Sequence, residues 1–280
     1  MPIPRLTLSR IVGLALDEDL GRGDLTTEAC VDPSVQGSAA LCAREPGVFC
    51  GGDVVREVYA QLDPRVSVGL LCEDGARMQP GATVLTLKGP ARSLLEGERV
   101  ALNFCQRMSG VATITRAFVD ALPPGSKTRI VDTRKTTPGL RALERHAVRA
   151  GGGHNHREDL GAAVLIKDNH IAAAGGVGEA IDRARERAPH TSRIECEVDT
   201  LAQLEVALAH RADVVLLDNF DDASLERAVR MIDGRALVDV SGGVTLARIP
   251  QIARFGVDVI SVGALTHSAR AVDLGLDWSA

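Results

Sequence analysis

Apolar and polar positions follow two rhythms along this chain. In the first third, short apolar runs are cut by turn residues. QGSAALCARE, GVFCGG, VSVGLLCEDGARM and GATVLTLKGP read as strands, with a helix over 53–62. Asp74-Gly75 and Pro80-Gly81 supply turns between them. This predicts a small α+β unit with an antiparallel sheet. From Ala91 to Leu122 the period lengthens. Ala101, Phe104, Met108, Val111, Phe118 and Leu122 recur at steps of three and four or their sums, the apolar stripe of a helix. Gly110 marks an expected break into two helices, and Pro123-Pro124-Gly125 ends the stretch.

Beyond residue 125 the two periods alternate. TRIVDTRK, AVLIKDNH, RIECEVD, DVVLLDNF, ALVDVSGG and VDVISVGAL read as six strands, with helical segments between them. Such alternation predicts an α/β fold with a parallel sheet, either doubly wound or closed as a barrel. The strand ends favour the barrel. Every one carries polar residues, among them Asp132 to Lys135, Lys167 to His170, Glu197, Asp218, Asp239 with Ser241-Gly242-Gly243, and Ser261 with Gly263. A barrel gathers all its strand ends at one face, whereas a doubly wound sheet concentrates its site at one switch point. Six strands fall short of eight, so the barrel is expected to be incomplete.

Composition narrows the partners. Aromatics are only 2% of residues, so Ala, Val, Leu and Ile must build the core. Six cysteines without a CxxC pair give no disulfide framework or zinc ribbon, and reduced thiols in a cytoplasmic setting are expected. No run approaches the ~20 apolar residues of a membrane span. The Arg22-Gly23-Asp24 tripeptide reads as a turn beside a helix end. The formal net charge of −5 carries no footprint of nucleic-acid binding. Against that background, residues 127–157 hold eight lysines and arginines and only two acids. Part of this is an ordinary solvated helix face, including Arg141 and Arg145. Arg134 and Lys135, at a strand end, instead imply a small polyanionic ligand. Glycines after the last two strands suit phosphate. Inward acids such as Asp168, Glu197 and Asp218 fit structural ion pairs, ribose hydroxyls or Mg²⁺. The segment Ala150–Glu158, AGGGHNHRE, offers two histidines at i and i+2. A zinc site needs three or four ligands, and here the neighbours are glycines and Arg157, so an anion is the better match for His156.

At this level of detail the chain resembles a known family. VDTRKTTPGLRALERHAVRAGGGHNHRE and LIKDNHIAAAGG are very similar to quinolinate phosphoribosyltransferases, of the type II phosphoribosyltransferase family. EDLGRGDLTTE, GERVALNFCQRMSGVAT, CEVD, VVLLDNF, VSGGV and GVDVISVGALTHS extend the resemblance in order over nearly the whole chain. It implies an N-terminal α/β sandwich over 1–110, joined by the tail 266–280, and an incomplete, about seven-stranded α/β barrel over 111–265. It implies phosphoribosyl transfer from phosphoribosyl pyrophosphate to quinolinate with decarboxylation, giving nicotinate mononucleotide, pyrophosphate and CO₂ in de novo NAD biosynthesis. Arg134, His156 and Arg157 resemble the quinolinate-carboxylate binders, with Lys135 and Lys167 completing the positive lining. Arg99 resembles an arginine lent to a neighbouring subunit in a homodimer or larger assembly. Glu197 and Asp218 match acids near the ribose. Ser241, Gly242, Gly243 and Gly263 match the 5′-phosphate loops. Lys135, Lys167, Glu197 and Asp218 are thus the candidate catalytic groups. Mg²⁺ is expected mainly through substrate phosphates, with Glu197 and Asp218 as candidate protein ligands. Two positions stand out: Asp239 replaces the family's usual Glu, and His154 inherits no role. The rivals are a relative with a different acceptor, a Schiff-base aldolase using Lys167, and a metabolite sensor without turnover.

Overall fold

The computed structural model describes residues 2–279. In chain order the elements are α1 (Arg5–Leu20), α2 (Leu25–Cys30), β1 (Gln36–Ala43), β2 (Gly47–Val48), α3 (Gly52–Leu62), β3 (Ser67–Leu70), β4 (Arg77–Met78), β5 (Thr83–Pro90) and α4 (Ala91–Asp120). Then follow β6 (Arg129–Val131), α5 (Arg141–Ala150), β7 (Val164–Ile166), α6 (Asp168–Ala174), α7 (Val177–Arg187) and β8 (Ile194–Val198). The chain continues with α8 (Leu201–Ala209), β9 (Val214–Asp218), α9 (Asp222–Ile232), β10 (Leu237–Ser241), α10 (Ile249–Arg254), β11 (Val259–Ser261), α11 (Ala264–His267) and β12 (Leu274–Ser279). It forms two compact units. The first comprises Met1–Arg116, Lys135–Gly152 and Ala264–Ala280; the second comprises Ala117–Arg134 and Gly153–Gly263.

The first unit is built on an antiparallel sheet in the order β12-β1-β5-β3. Its last strand comes from the far end of the chain, pairing Ala39 with Trp278 and Leu41 with Leu276. Burial explains the packing of α3: Val54, Val55, Val58 and Tyr59 form its inner face, and the Tyr59 hydroxyl donates to the Leu94 carbonyl (3.0 Å). The Arg22-Gly23-Asp24 tripeptide is a turn, as expected. Gly23 has φ +100°, and Asp24 caps α2 by accepting from the Thr26 and Thr27 amides.

The expected break at Gly110 does not occur. α4 runs unbroken for 30 residues. A Cβ at Gly110 would lie 2.0 Å from the Arg270 carbonyl oxygen and 3.3 Å from the Ala271 Cα. The glycine lets the returning C-terminal segment cross the helix, and its cost in helix propensity is outweighed by that close approach.

The second unit holds six parallel strands in the order β6-β11-β10-β9-β8-β7. Neighbours follow chain order, and the last strand pairs with the first. That closure is the signature of a barrel and rules out a doubly wound order. A rudimentary seventh rung comes from AGGGHNHRE. Val131 and His154 form a parallel bridge, with the His154 amide donating to Ile130 O (2.8 Å) and the Asp132 amide to His154 O (3.1 Å). Among the described residues no ladder joins β7 to this rung, so the ring is open there. β7 stops at Ile166, so Lys167 directly follows the strand end, as expected, and Asp168 to His170 open α6.

Candidate active site

The His154–Arg157 segment is held from below by buried acids. Asp132, fully buried just after β6, accepts the His156 amide (2.7 Å) and the Asn155 side-chain amide (2.6 Å). His156 Nε2 lies 3.1 Å from Glu195 Oε2, and its Nδ1 accepts the Arg157 amide (2.7 Å). Both ring nitrogens are therefore engaged within this unit. His156 orients the segment, whereas the sequence suggested a free donor for an anion. Burial works against its imidazolium, but Glu195, Asp239 and Asp132 outweigh it and raise its pKa. His154 contributes through its backbone; its side chain is exposed, with its pKa lowered by partial burial and by Arg129.

Arg157 is half-buried and donates Nη1 to the Ala163 carbonyl (2.8 Å), while its buried Nε has no hydrogen-bond partner. Burial, and then the adjacent charge of Arg134, depress its pKa. Two guanidiniums brought together repel unless an anion lies between them. Cations so placed suit carboxylates, whose planar oxygens match the guanidinium fork.

The other strand ends add complementary groups. Lys167 is ion-paired to Glu197 across β7 and β8. Asp218, half-buried at the end of β9, accepts from the Asn219 side chain (2.7 Å). Next to it in register is Ser241, followed by Gly242 (φ +84°) and Gly243 (φ +56°). A Cβ on Gly242 would meet Asn219 Oδ1 at 2.3 Å, so only glycine fits. At Gly243 the same position is open space, leaving the main chain accessible to a ligand. Gly263, half-buried, follows β11. His156, Glu195 and Asp239 have ligand atoms within 4.8 Å of one another, as do Cys50, Asp74 and His146 in the first unit.

Two predicted residues belong to the first unit. Arg99 is exposed on α4, and Lys135 is exposed with its carbonyl accepting the Thr266 hydroxyl (2.8 Å). The loop after Lys135 is anchored by groups the sequence did not single out. Glu144, 1% exposed, accepts from Arg107 Nη2 (2.6 Å), the Thr137 amide (3.0 Å) and the Thr137 hydroxyl (2.7 Å). A cleft of about 640 Å³ in this unit, around Asp74 and His146, contains none of the predicted site residues. A cleft of about 480 Å³ in the second unit includes Arg157.

Known proteins resemble this chain in both sequence and structure. Residues 24–109 match the family description "Quinolinate phosphoribosyl transferase, N-terminal domain", and residues 111–277 match its C-terminal domain. The chain is 48% identical over 271 residues to the nicotinate-nucleotide pyrophosphorylase [carboxylating] of Mycobacterium leprae, covering 94% of each. It is 42% identical to the probable nicotinate-nucleotide pyrophosphorylase [carboxylating] of Bacillus subtilis, covering 97% of this chain and 93% of that one. The solved nicotinate-nucleotide pyrophosphorylase of Francisella tularensis superposes with a TM-score of 0.93 at 38% identity, covering 99% of this chain and 98% of that one.

Proposed function

This chain belongs to the quinolinate phosphoribosyltransferase family, and from that premise we propose how its residues carry the family's reaction. It transfers the phosphoribosyl group of phosphoribosyl pyrophosphate to quinolinate, with loss of CO₂, giving nicotinate mononucleotide and pyrophosphate in de novo NAD biosynthesis. The observation that best supports the site assignment is the juxtaposition of Arg134 and Arg157, two cations with a buried Nε on Arg157 awaiting an acceptor. Quinolinate, a planar dicarboxylate, fills that clamp and is held with its ring nitrogen toward the ribose.

The turn at Ser241-Gly242-Gly243, with Gly263, binds the 5′-phosphate through main-chain amides. As pyrophosphate leaves, positive charge grows at the ribose carbon, and the carboxylates of Glu197 and Asp218 stabilise it electrostatically. Lys167 holds Glu197 in place and offsets the negative charge of the substrates. The ring nitrogen then bonds to that carbon. The resulting pyridinium accepts the electron pair left on the ring when the 2-carboxylate departs as CO₂, and a proton takes the vacated position. The oxygen donors suit Mg²⁺. Asp218 would hold it together with substrate phosphates, since Glu197 is engaged by Lys167. When bound, it neutralises charge on the leaving pyrophosphate. Arg99, exposed on α4, completes the site of a second copy in a homodimer.

Release of labelled CO₂ from carboxyl-labelled quinolinate, dependent on both phosphoribosyl pyrophosphate and Mg²⁺, tests the reaction. No release under those conditions rejects it. Borohydride trapping of a carbonyl compound on Lys167 would instead indicate Schiff-base chemistry.

A further inference from the structure

The barrel interior carries acids where aliphatic layers are usual. Asp132, Glu195 and Asp239 come from or just after alternate strands β6, β8 and β10, and are 0%, 8% and 2% exposed. Asp132 is satisfied by the His156 amide and Asn155. Glu195 Oε2 faces His156 Nε2, and Asp239 Oδ2 accepts the Ser261 hydroxyl (2.8 Å). Glu195 Oε1 and Asp239 Oδ1 remain, both shut off from solvent and neither with a donor. The two carboxyls face each other inside the barrel, with oxygens within 4.8 Å. Two ionised carboxylates cannot occupy such a place together, because their repulsion is barely screened and each orphan oxygen adds a desolvation cost. A single proton between them satisfies both.

We propose that Glu195 and Asp239 share one proton inside the barrel, and that this pair positions His156 and, through its ring, the backbone of Arg157. The chain of contacts is continuous. Ser261 fixes Asp239, and Asp239 fixes Glu195. Glu195 accepts from His156 Nε2–H, leaving Nδ1 with the lone pair that receives the Arg157 amide. Asp132 holds the same dipeptide from its other side. Asp239 and Glu195 are therefore positioning residues for the quinolinate clamp. The functional half of the inference rests on the assignment of Arg157 to quinolinate.

Asp239→Ala leaves Glu195 Oε1 unpaired and loosens the ring. The Michaelis constant for quinolinate should rise about ten- to a hundredfold, the scale expected of a misplaced binding group, while that for phosphoribosyl pyrophosphate stays within about twofold. Asp239→Asn supplies a permanent donor to Glu195 and should recover most of that loss. If Asp239→Ala does not fold, Ser261→Ala should show the same selective effect in smaller measure. Equal effects on both substrates, or no recovery in Asp239→Asn, overturn the positioning role. Infrared difference spectra read the proton directly. The carbonyl band of a buried protonated carboxyl should be present in the parent protein and absent from both Asp239→Asn and Glu195→Gln. No such band overturns the sharing, as does stoichiometric divalent metal retained at His156, Glu195 and Asp239 after dialysis against chelator. Arg157→Ala assayed in parallel separates the two readings. If it spares quinolinate binding, the clamp fails, while the infrared band still decides the carboxyl pair.

Discussion

Replacing Gly110 by alanine should destabilise the protein although it lies mid-helix, where Gly→Ala ordinarily stabilises by about 1 kcal/mol. The reason is the crossing of α4 by the C-terminal segment. The added Cβ would sit 2.0 Å from the Arg270 carbonyl oxygen, and an ordinary C···O approach is roughly 3.3 Å, so main chain must retreat by about 1.3 Å. That segment is not free to retreat. The Val272 amide donates to Gln106 O (3.1 Å), the Gln106 side chain to Leu274 O (2.8 Å) and Arg107 Nη1 to Ala269 O (2.8 Å). Overpacking against backbone costs about 1–3 kcal/mol or more. Three anchors place this site at or above the top of that range, so after the propensity gain a net loss of about 2 kcal/mol is expected. In thermal unfolding this corresponds to a fall of roughly 4–8 °C. Urea unfolding should show a lower midpoint with an unchanged slope. A variant as stable as the parent, or more stable, would refute the crossing as the reason for the glycine.

Further expectations follow from the site. Arg157→Lys keeps the charge but loses the fork, and should raise the Michaelis constant for quinolinate about tenfold with little change for phosphoribosyl pyrophosphate in steady-state kinetics. Gly242→Ala, strained at φ +84° and 2.3 Å from Asn219 Oδ1, should do the reverse, weakening phosphoribosyl pyrophosphate about tenfold or more in direct binding titrations. Arg99→Ala should be inactive alone, yet regain activity when mixed with Arg157→Ala if sites are shared between copies; proven mixed dimers without activity would count against sharing. Burial and then Glu195 push the Asp239 pKa up to about 7. The folded state thus holds a proton that the unfolded chain has released, so this group's contribution is full below the ordinary Asp range and is lost as pH rises toward about 7. Asp239→Asn should flatten that decline in urea midpoints between about pH 4 and pH 8, and an unchanged slope would place the proton elsewhere.

Much of this protein is written locally. The switch from period two to period three or four marks the strands and helices of both units, because burying one face of a strand or helix imposes that spacing. The motif-bearing strand ends also announce themselves, since chain order and strand polarity place Arg134, Glu197, Asp218 and Ser241 at one kind of position. The resemblance of the motifs to one family supplied the reaction.

Other features depend on residues distant in sequence. Gly110 looks like a helix breaker until the Arg270 backbone is laid across it. His154 looks like half a metal site, but its backbone is a rung beside β6. Arg107 and Glu144 carry no distinguishing signal in the sequence, yet they meet in a buried anchor for Thr137. Glu195 and Asp239 lie 44 positions apart on strands whose periodicity predicts nothing about their partners. Sequence alone determined most of the elements, the reaction and the candidate cations of the site, because each is set by local pattern or motif. Only the tertiary structure decided which buried polar groups face each other, because an unscreened charge and an orphaned oxygen acquire their cost from neighbours that folding brings together.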